Sequence, residues 1–274
     1  MAGYSIFEDT MVDMTYPEVV KAATRGAVVL LPSGVVEQHG PHLPIGVDTY
    51  GSYLLAKLTQ REMSRLGREA PIAPPFYWGI NKVTEGFPAT FRVRHETSVM
   101  LLTDIMDTLV DDGFRNVLIV NHQGDAAHAR MQIEVMQAQH AKGNSGIAWV
   151  EDELTAKRHG ATGTDAYWLT FLMPEDTGLV MSGKLGVHAH EVETAMMTRW
   201  FPEIVNYDAL EKLEPTDLGM DDLMAWRKGG EHARRVTPLG YFGDPKPHDP
   251  NLWKLYTIRA RLMAEVILER VGAA

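Results

Sequence analysis

The chain has 274 residues, of which 45% are hydrophobic and 23% charged; these are ordinary globular proportions, so disordered and fibrous classes are excluded and a sizeable core can form. Its 36 acidic residues against 26 basic ones give a formal net charge of -10, spread without an acidic tail or basic block, which argues against nucleic acid as a partner. Cysteine is absent, so disulfides, thiolate nucleophiles and sulfur-ligated zinc are excluded.

From the N-terminal end, the first residues carry no charged segment followed by an apolar one, and no run of about 18 apolar residues comes later. The expectation is a soluble cytoplasmic protein with no membrane partner. The run GAVVLLPSG at 26–34 reads as a strand buried on both faces. A helix is expected over 49–67, where Leu54, Leu55, Leu58 and Met63 fall near helical spacing, and another over 97–112 with Thr97 as its cap. NVLIVNHQG at 116–124 is a second buried strand, followed by a helix over 125–142 opening on Asp125, and GIAWVED at 146–152 is a third. Helices follow at 190–201 and 250–271, the latter with Leu255, Ile258, Leu262 and Ile267 close to a 3.6 period. Residues 153–187 and 203–248 are rich in Gly, Pro and Asp, the composition of lids, binding loops or oligomer contacts. Strands alternating with helices, with neither repeat nor linker, predict a single-domain three-layer α/β/α fold around a mostly parallel sheet.

Residues able to bind metal gather at the strand ends. Glu37 and His39 stand two apart after the first strand, and in extended chain both side chains fall on one side. The Gly and Pro residues of GPHLPIGV can fold the chain back so that Asp48 reaches the same space. His122 closes the second strand, and HAHEVET at 188–194 adds His188, His190, Glu191 and Glu193. Taken singly, several have a blander role: a solvated turn residue for Asp48, a strand-end histidine for His122, ordinary first-turn helix residues for His190 and Glu193. Jointly they form a nitrogen and oxygen ligand set without sulfur, suited to Zn, Mn or Fe, and numerous enough for two ions sharing a carboxylate.

In these segments the sequence resembles the creatininase family, a group of metal-dependent amidohydrolases. GVVEQHGPHLPIGVD at 34–48 is similar to the family's first signature, and EGFPATF at 85–91, NHQGD at 121–125, HAHEVET and YFGDP at 241–245 resemble its GFPGT, GHGGN, HAGExET and GDP segments. The resemblance covers about residues 15–270. It implies Glu37, His39, Asp48 and His122 as metal ligands, with Asp48 bridging two ions. Gly124 stands where creatininase itself has a ligating glutamate; family members with glycine there carry the glutamate in the HAGE segment, and that resemblance implies Glu191 as the remaining carboxylate. His188 matches the active-site histidine, a proton carrier for the leaving group. An assembly of dimers into a hexamer is also implied.

Asn121, Asp125 and His190 depart from these motifs; the imidazole of His190 is expected to narrow or re-polarise the pocket or to serve as an extra ligand, so the sequence does not support creatinine as substrate. Trp78, Lys82, Arg92 and Trp168, with Lys184, are the substrate-contact candidates, because they lie in Gly/Pro-rich segments rather than in periodic helices. The expected chemistry is attack on a carbonyl of a small cyclic substrate by water whose pKa falls from about 16 toward about 7 beside the cations. Three readings follow: hydrolysis of a cyclic amide, hydrolytic ring opening of a cyclic ketone such as 3-dehydro-scyllo-inosose, and a non-catalytic metal-binding scaffold.

Overall fold

Apolar runs without alternation pair as inner strands of a parallel sheet, since both of their faces are covered. In the computed structural model, which describes residues 5–272, β1 (Val28–Ser33), β2 (Asn116–Asn121), β3 (Ile147–Asp152) and β4 (Trp168–Phe171) lie side by side in that order, all parallel. Leu30 stands opposite Leu118 and Leu118 opposite Ala148. Single bridges from Ile72 to Leu30 and from Phe76 to Ser33 cover the free edge of β1.

The helices are α1 (Tyr16–Thr24), α2 (Val47–Arg65), α3 (His95–Asp111), α4 (Ala126–Ala141), α5 (Glu153–Arg158), α6 (Glu191–Trp200), α7 (Tyr207–Lys212), α8 (Met220–Trp226), α9 (Gly230–Val236) and α10 (Lys254–Val271). Alternate strand residues sort them into two layers. Val28, Leu30, Leu118, Val120, Ala148 and Val150 pack with Leu55 of α2, Met197 of α6 and Met263 of α10. Val29, Leu31, Val117, Ile119, Ile147 and Trp149 pack on the other face with Ala22 of α1, Met106 of α3 and Met131 of α4. This is the expected three-layer arrangement. A smaller cluster of Phe87, Leu223, Trp226, Ala233 and Phe242 gathers the short late helices. No helix among the described residues is long and apolar enough to cross a membrane.

The boundaries differ where local signals are weak. β4 lies inside the stretch 153–187, which carries too short an apolar run to announce a strand. Helix α3 starts at His95 rather than at Thr97, with Arg94 at its N-cap and no side-chain cap. Helix α10 starts at Lys254, after the turn that precedes it. Asp125 caps α4 as expected, its carboxylate accepting from the Ala127 N–H at 2.7 Å.

One buried histidine ties the layers together and carries a pH signature. His128 of α4 accepts from the Ile80 N–H at Nδ1 (3.2 Å) and pairs through Nε2 with the Ser33 hydroxyl (3.1 Å). An N–H pointed at Nδ1 requires a neutral ring, and burial lowers its pKa to about 3. The unfolded chain takes up that proton near pH 6.5, so this contribution is complete above about 6.5 and shrinks by about 1.4 kcal/mol per pH unit as pH falls toward 3. Urea midpoints between pH 7 and 4 should therefore fall less steeply for His128→Gln than for the unmodified chain. Equal slopes would assign the acid sensitivity to other groups.

Candidate metal centre

Beyond β1 the chain is guided by a close contact. A Cβ on Gly34 would meet the Asp48 carbonyl oxygen at 2.7 Å, so glycine lets this segment pass against the start of α2. The Glu37 N–H donates to the Ile45 carbonyl at 2.9 Å and His39 bridges Leu43 in antiparallel fashion, which folds the loop back and delivers Asp48 on the first turn of α2. From β2 comes His122, whose ring lies so close to α2 that a Cβ on Gly51 would be 2.5 Å from it. The three segments converge beyond the carboxyl ends of β1 and β2, where open α/β sheets place their ligands.

His39 is the centre of the arrangement. Its Nδ1–H donates to the Glu37 carbonyl at 3.1 Å, which leaves Nε2 as the basic atom. That Nε2 is buried without a hydrogen-bond partner, 3.7 Å from Asp48 Oδ2 and 3.8 Å from Glu193 Oε1. Such separations are too long for hydrogen bonds. They suit three donors around one divalent ion, because metal–ligand bonds of about 2.0–2.2 Å put tetrahedral ligand atoms about 3.4 Å apart. The donor set and the orphaned nitrogen thus fit a cation. The electrostatics agree: burial pulls the His39 pKa down, but Asp48, Glu193 and Glu37 outweigh it and raise it to about 10, while burial lifts Asp48 to about 6. The pocket draws positive charge.

Of the two α6 carboxylates, the one that faces His39 is Glu193, not the sequence candidate Glu191. Glu191 points away, its oxygens accepting from the Ser182 N–H (3.0 and 3.1 Å) and hydroxyl (2.6 Å). Glu193 turns toward His39, with its other oxygen held by His190 Nδ1 at 3.2 Å and by the His190 N–H at 3.3 Å. Helix phase explains the exchange. Glu191 is the first helical residue and faces the loop, whereas a glutamate at the third position folds back over the N-terminus in a capping box. His190 therefore positions Glu193: burial pushes the Glu193 carboxyl up, but its pairing with His190 and the proximity of His39 outweigh that and hold it well below the ordinary carboxylate range.

On the far side of Asp48, His122 approaches through Nδ1, 3.1 Å from Asp48 Oδ1, while its Nε2 pairs with the Tyr256 hydroxyl of α10 at 2.8 Å. Two residues that the sequence did not single out meet Glu37 there. The Thr84 hydroxyl donates to one oxygen, and the Gln123 carboxamide donates to the other at 2.7 Å. His188 lies over His39, ring centroids 4.3 Å apart, and its Nε2–H donates to the Gln38 carbonyl at 2.7 Å. Burial lowers its pKa, so the ring is neutral near pH 7 with Nδ1 as its basic atom. It is 6% exposed, and the centre as a whole is largely closed.

A family model described as creatininase, creatinine amidohydrolase, matches residues 12–256. The chain belongs to the creatininase family. Among its relatives is a mycofactocin precursor peptide peptidase of Mycolicibacterium smegmatis, 28% identical over 80% of this chain and 74% of that protein. Another is a 3-dehydro-scyllo-inosose hydrolase of Thermotoga maritima, 24% identical over 74% of this chain and 59% of that protein. A solved structure described as the Mn form of creatininase superposes with a TM-score of 0.70 at 19% identity, covering 96% of this chain and 99% of that one. This protein is therefore a hydrolase of the metal-dependent, amidohydrolase-like kind, and its fold is the creatininase fold. Family membership sets aside the non-catalytic scaffold reading.

The candidate substrate contacts divide. Trp168 is a correction: it is 9% exposed and stacks on Trp149 at 4.6 Å within the apolar layer beneath the sheet, so it is a core residue of β4. Lys82 gives its backbone to the site, its N–H donating to Asp125 at 2.6 Å, while its ammonium turns out to Glu85 at 3.1 Å. Arg92 is exposed and donates to the Glu85 carbonyl at 2.8 Å. Trp78 is exposed and meets Phe91 edge to face at 5.6 Å. Lys184 pairs with Asp217 at 3.0 Å. Among the described residues, no hydrogen bond, ion pair or ring contact joins these five side chains to His39, Asp48 or Glu193.

Proposed function

We propose that this chain hydrolyses a carbon–nitrogen bond of an amide, with a divalent cation, Zn or Mn, held by His39, Asp48 and Glu193. The observation that carries this reading is the buried, unpartnered His39 Nε2 aimed between two carboxylates. A cation bound there polarises a carbonyl and lowers the pKa of water. The chain supplies the rest. Glu37 fixes the His39 tautomer through its carbonyl oxygen, and His190 aims Glu193. His188, neutral and stacked against His39, accepts a proton at Nδ1 and returns it to the departing nitrogen. The site's closure keeps bulk water from the reacting carbonyl.

Support for nitrogen as the leaving atom comes from the peptidase relatives, which match over more of their length than the inosose hydrolase does. That hydrolase supports a second reading, hydrolytic ring opening at a cyclic ketone, because the same site chemistry does not choose between nitrogen and carbon as leaving atom. The test is a screen of metal-stripped and Mn- or Zn-reloaded protein on cyclic amides, short peptides and keto-inositols. Metal-dependent release of an amine with a carboxylate is the expected result. Turnover confined to keto-inositols would transfer the assignment to carbon–carbon cleavage, and absence of both binding and turnover would defeat the metal reading.

A further inference from the structure

We propose that Tyr256 of α10 is a positioning residue for the metal centre: its hydroxyl selects which ring atom His122 turns toward Asp48. The inference rests on the metal-site reading above and on His122 as one of the ligands. His122 lies on the far side of Asp48 from His39, with its Nδ1 3.1 Å from Asp48 Oδ1. Turning the imidazole over about its bond to Cβ would put the carbon Cδ2 there instead, and a carbon offers a cation no lone pair. The orientation observed therefore needs a hold.

Backbone crowding does not supply it. Gly51 of α2 leaves room for the ring, since a Cβ there would fall 2.5 Å from His122 Cδ2, but a flat ring fits that gap either way up. Asp48 favours the observed orientation only while Nδ1 carries a proton to donate, and a cation that takes Nδ1 removes that hydrogen bond. The Tyr256 hydroxyl discriminates in both states. It lies 2.8 Å from Nε2, and after a flip it would face the carbon Cε1. Tyr256 is buried, and among the described residues its hydroxyl has no other hydrogen-bond partner. A flip therefore strands a buried O–H together with a ring nitrogen, a loss that folded chains avoid.

A hydroxyl suits this place because it both donates and accepts. With Nδ1–H donating to Asp48, Nε2 is bare and accepts the Tyr256 O–H. With Nδ1 bare and turned to a cation, Nε2 carries the one proton of the neutral ring and donates it to the same oxygen. The proton that Nδ1 gives up to solvent is matched by one that Nε2 takes up, and no heavy atom has to move. The rest of α10 keeps the oxygen in place. The Tyr256 ring packs in the apolar layer with α2 and α6 and lies nearly parallel to the imidazole, 18° between planes at 5.7 Å. Three residues on, on the same helix face, Arg259 pairs with the buried Glu151 near the end of β3, which ties α10 to the carboxyl end of the sheet.

The test uses Tyr256→Phe, which keeps the ring and removes the oxygen. Chelator-stripped chain is titrated with Co(II) buffered by a competing chelator, and binding is read from the visible absorption of the bound ion. Proton magnetic resonance of the Co(II)-loaded chain gives a second readout: the ion shifts the N–H of a ligating imidazole far from other signals, and exchange with water reports whether that N–H is hydrogen-bonded. The His122 signal is assigned by its loss in His122→Gln. The expected result is a Co(II) affinity about 10- to 100-fold lower in Tyr256→Phe, with a His122 N–H that is long-lived in the unmodified chain and lost to exchange in the variant. Affinity within about twofold of the parent overturns the proposal. Weaker binding with the N–H still protected overturns it too, since the tyrosine would then act by packing alone. Should the variant not fold, the His122 N–H of the unmodified chain decides, slow exchange supporting the proposal and fast exchange overturning it. Absence of bound Co(II) from the unmodified chain would overturn the metal-site reading itself, a separate failure.

Discussion

Glu193→Gln should lose bound metal and at least about a hundredfold in kcat/KM, whereas Glu191→Gln should keep both. The two residues are two positions apart in a single motif, and both are buried, so burial does not separate them. Their partners do. Glu193 leaves one oxygen 3.8 Å from the free His39 nitrogen, and exchanging that oxygen pair for an amide removes the ligand charge while preserving volume. Glu191 serves a loop instead: it accepts three hydrogen bonds from Ser182. Its amide variant weakens that loop attachment by about 1–3 kcal/mol and shows the loss as a lower melting temperature with metal content unchanged. The measurements are metal per chain, melting temperature and kcat/KM for both variants. The opposite pattern, metal lost from Glu191→Gln and retained in Glu193→Gln, would return the ligand to the first helical position.

How far the sequence could be read follows from what each signal encodes. β1, β2 and β3 were legible because a strand covered on both faces is a continuous apolar run, and α4 because Asp125 both precedes the periodic residues and caps them. β4 was not, since four residues on the sheet edge, with Leu169 and Thr170 only half buried, carry neither length nor pattern. The same weakness made Trp168 look like a loop residue open to a ligand, when its partner Trp149 lies on the neighbouring strand. Glu37, His39, Asp48 and His122 were visible as ligand-type side chains beside strand ends, and the structure brings all four together. The choice between Glu191 and Glu193 needed helix phase. The capping-box pattern of α6 contains that information, because a third-position glutamate turns back toward the N-terminus. Gln123 had no such signal: its place against Glu37 depends on which end of its amide the Asp125 N–H donates to, a fact of three-dimensional contact.

Asp48→Ala should abolish metal retention and hydrolysis while leaving the metal-free fold about as stable as before. Asp48 is the carboxylate shared by everything in the centre: Oδ2 lies 3.7 Å from His39 Nε2 and Oδ1 lies 3.1 Å from His122 Nδ1. Its place on the first turn of α2 is mildly favourable through the helix dipole. Against this, burial and the neighbouring Glu37 raise its pKa to about 6, so the ionised form is costly to keep in the absence of metal. Removing it therefore relieves roughly as much strain as it forfeits, a common exchange at sites shaped for function rather than stability. The signature lies in linkage. A ligand at a thousandfold its dissociation constant stabilises the folded chain by about 4 kcal/mol, so added Mn(II) or Zn(II) should raise the melting temperature of the unmodified protein by several degrees and leave that of Asp48→Ala unmoved. Thermal melts with and without metal, beside activity on whichever amide the screen identifies, read both effects at once. A variant that still gains stability from metal and keeps activity within about tenfold of the parent would remove Asp48 from the centre, and with it the assignment of His39 and Glu193 as its companions, since the three donors were placed around one ion by their mutual distances.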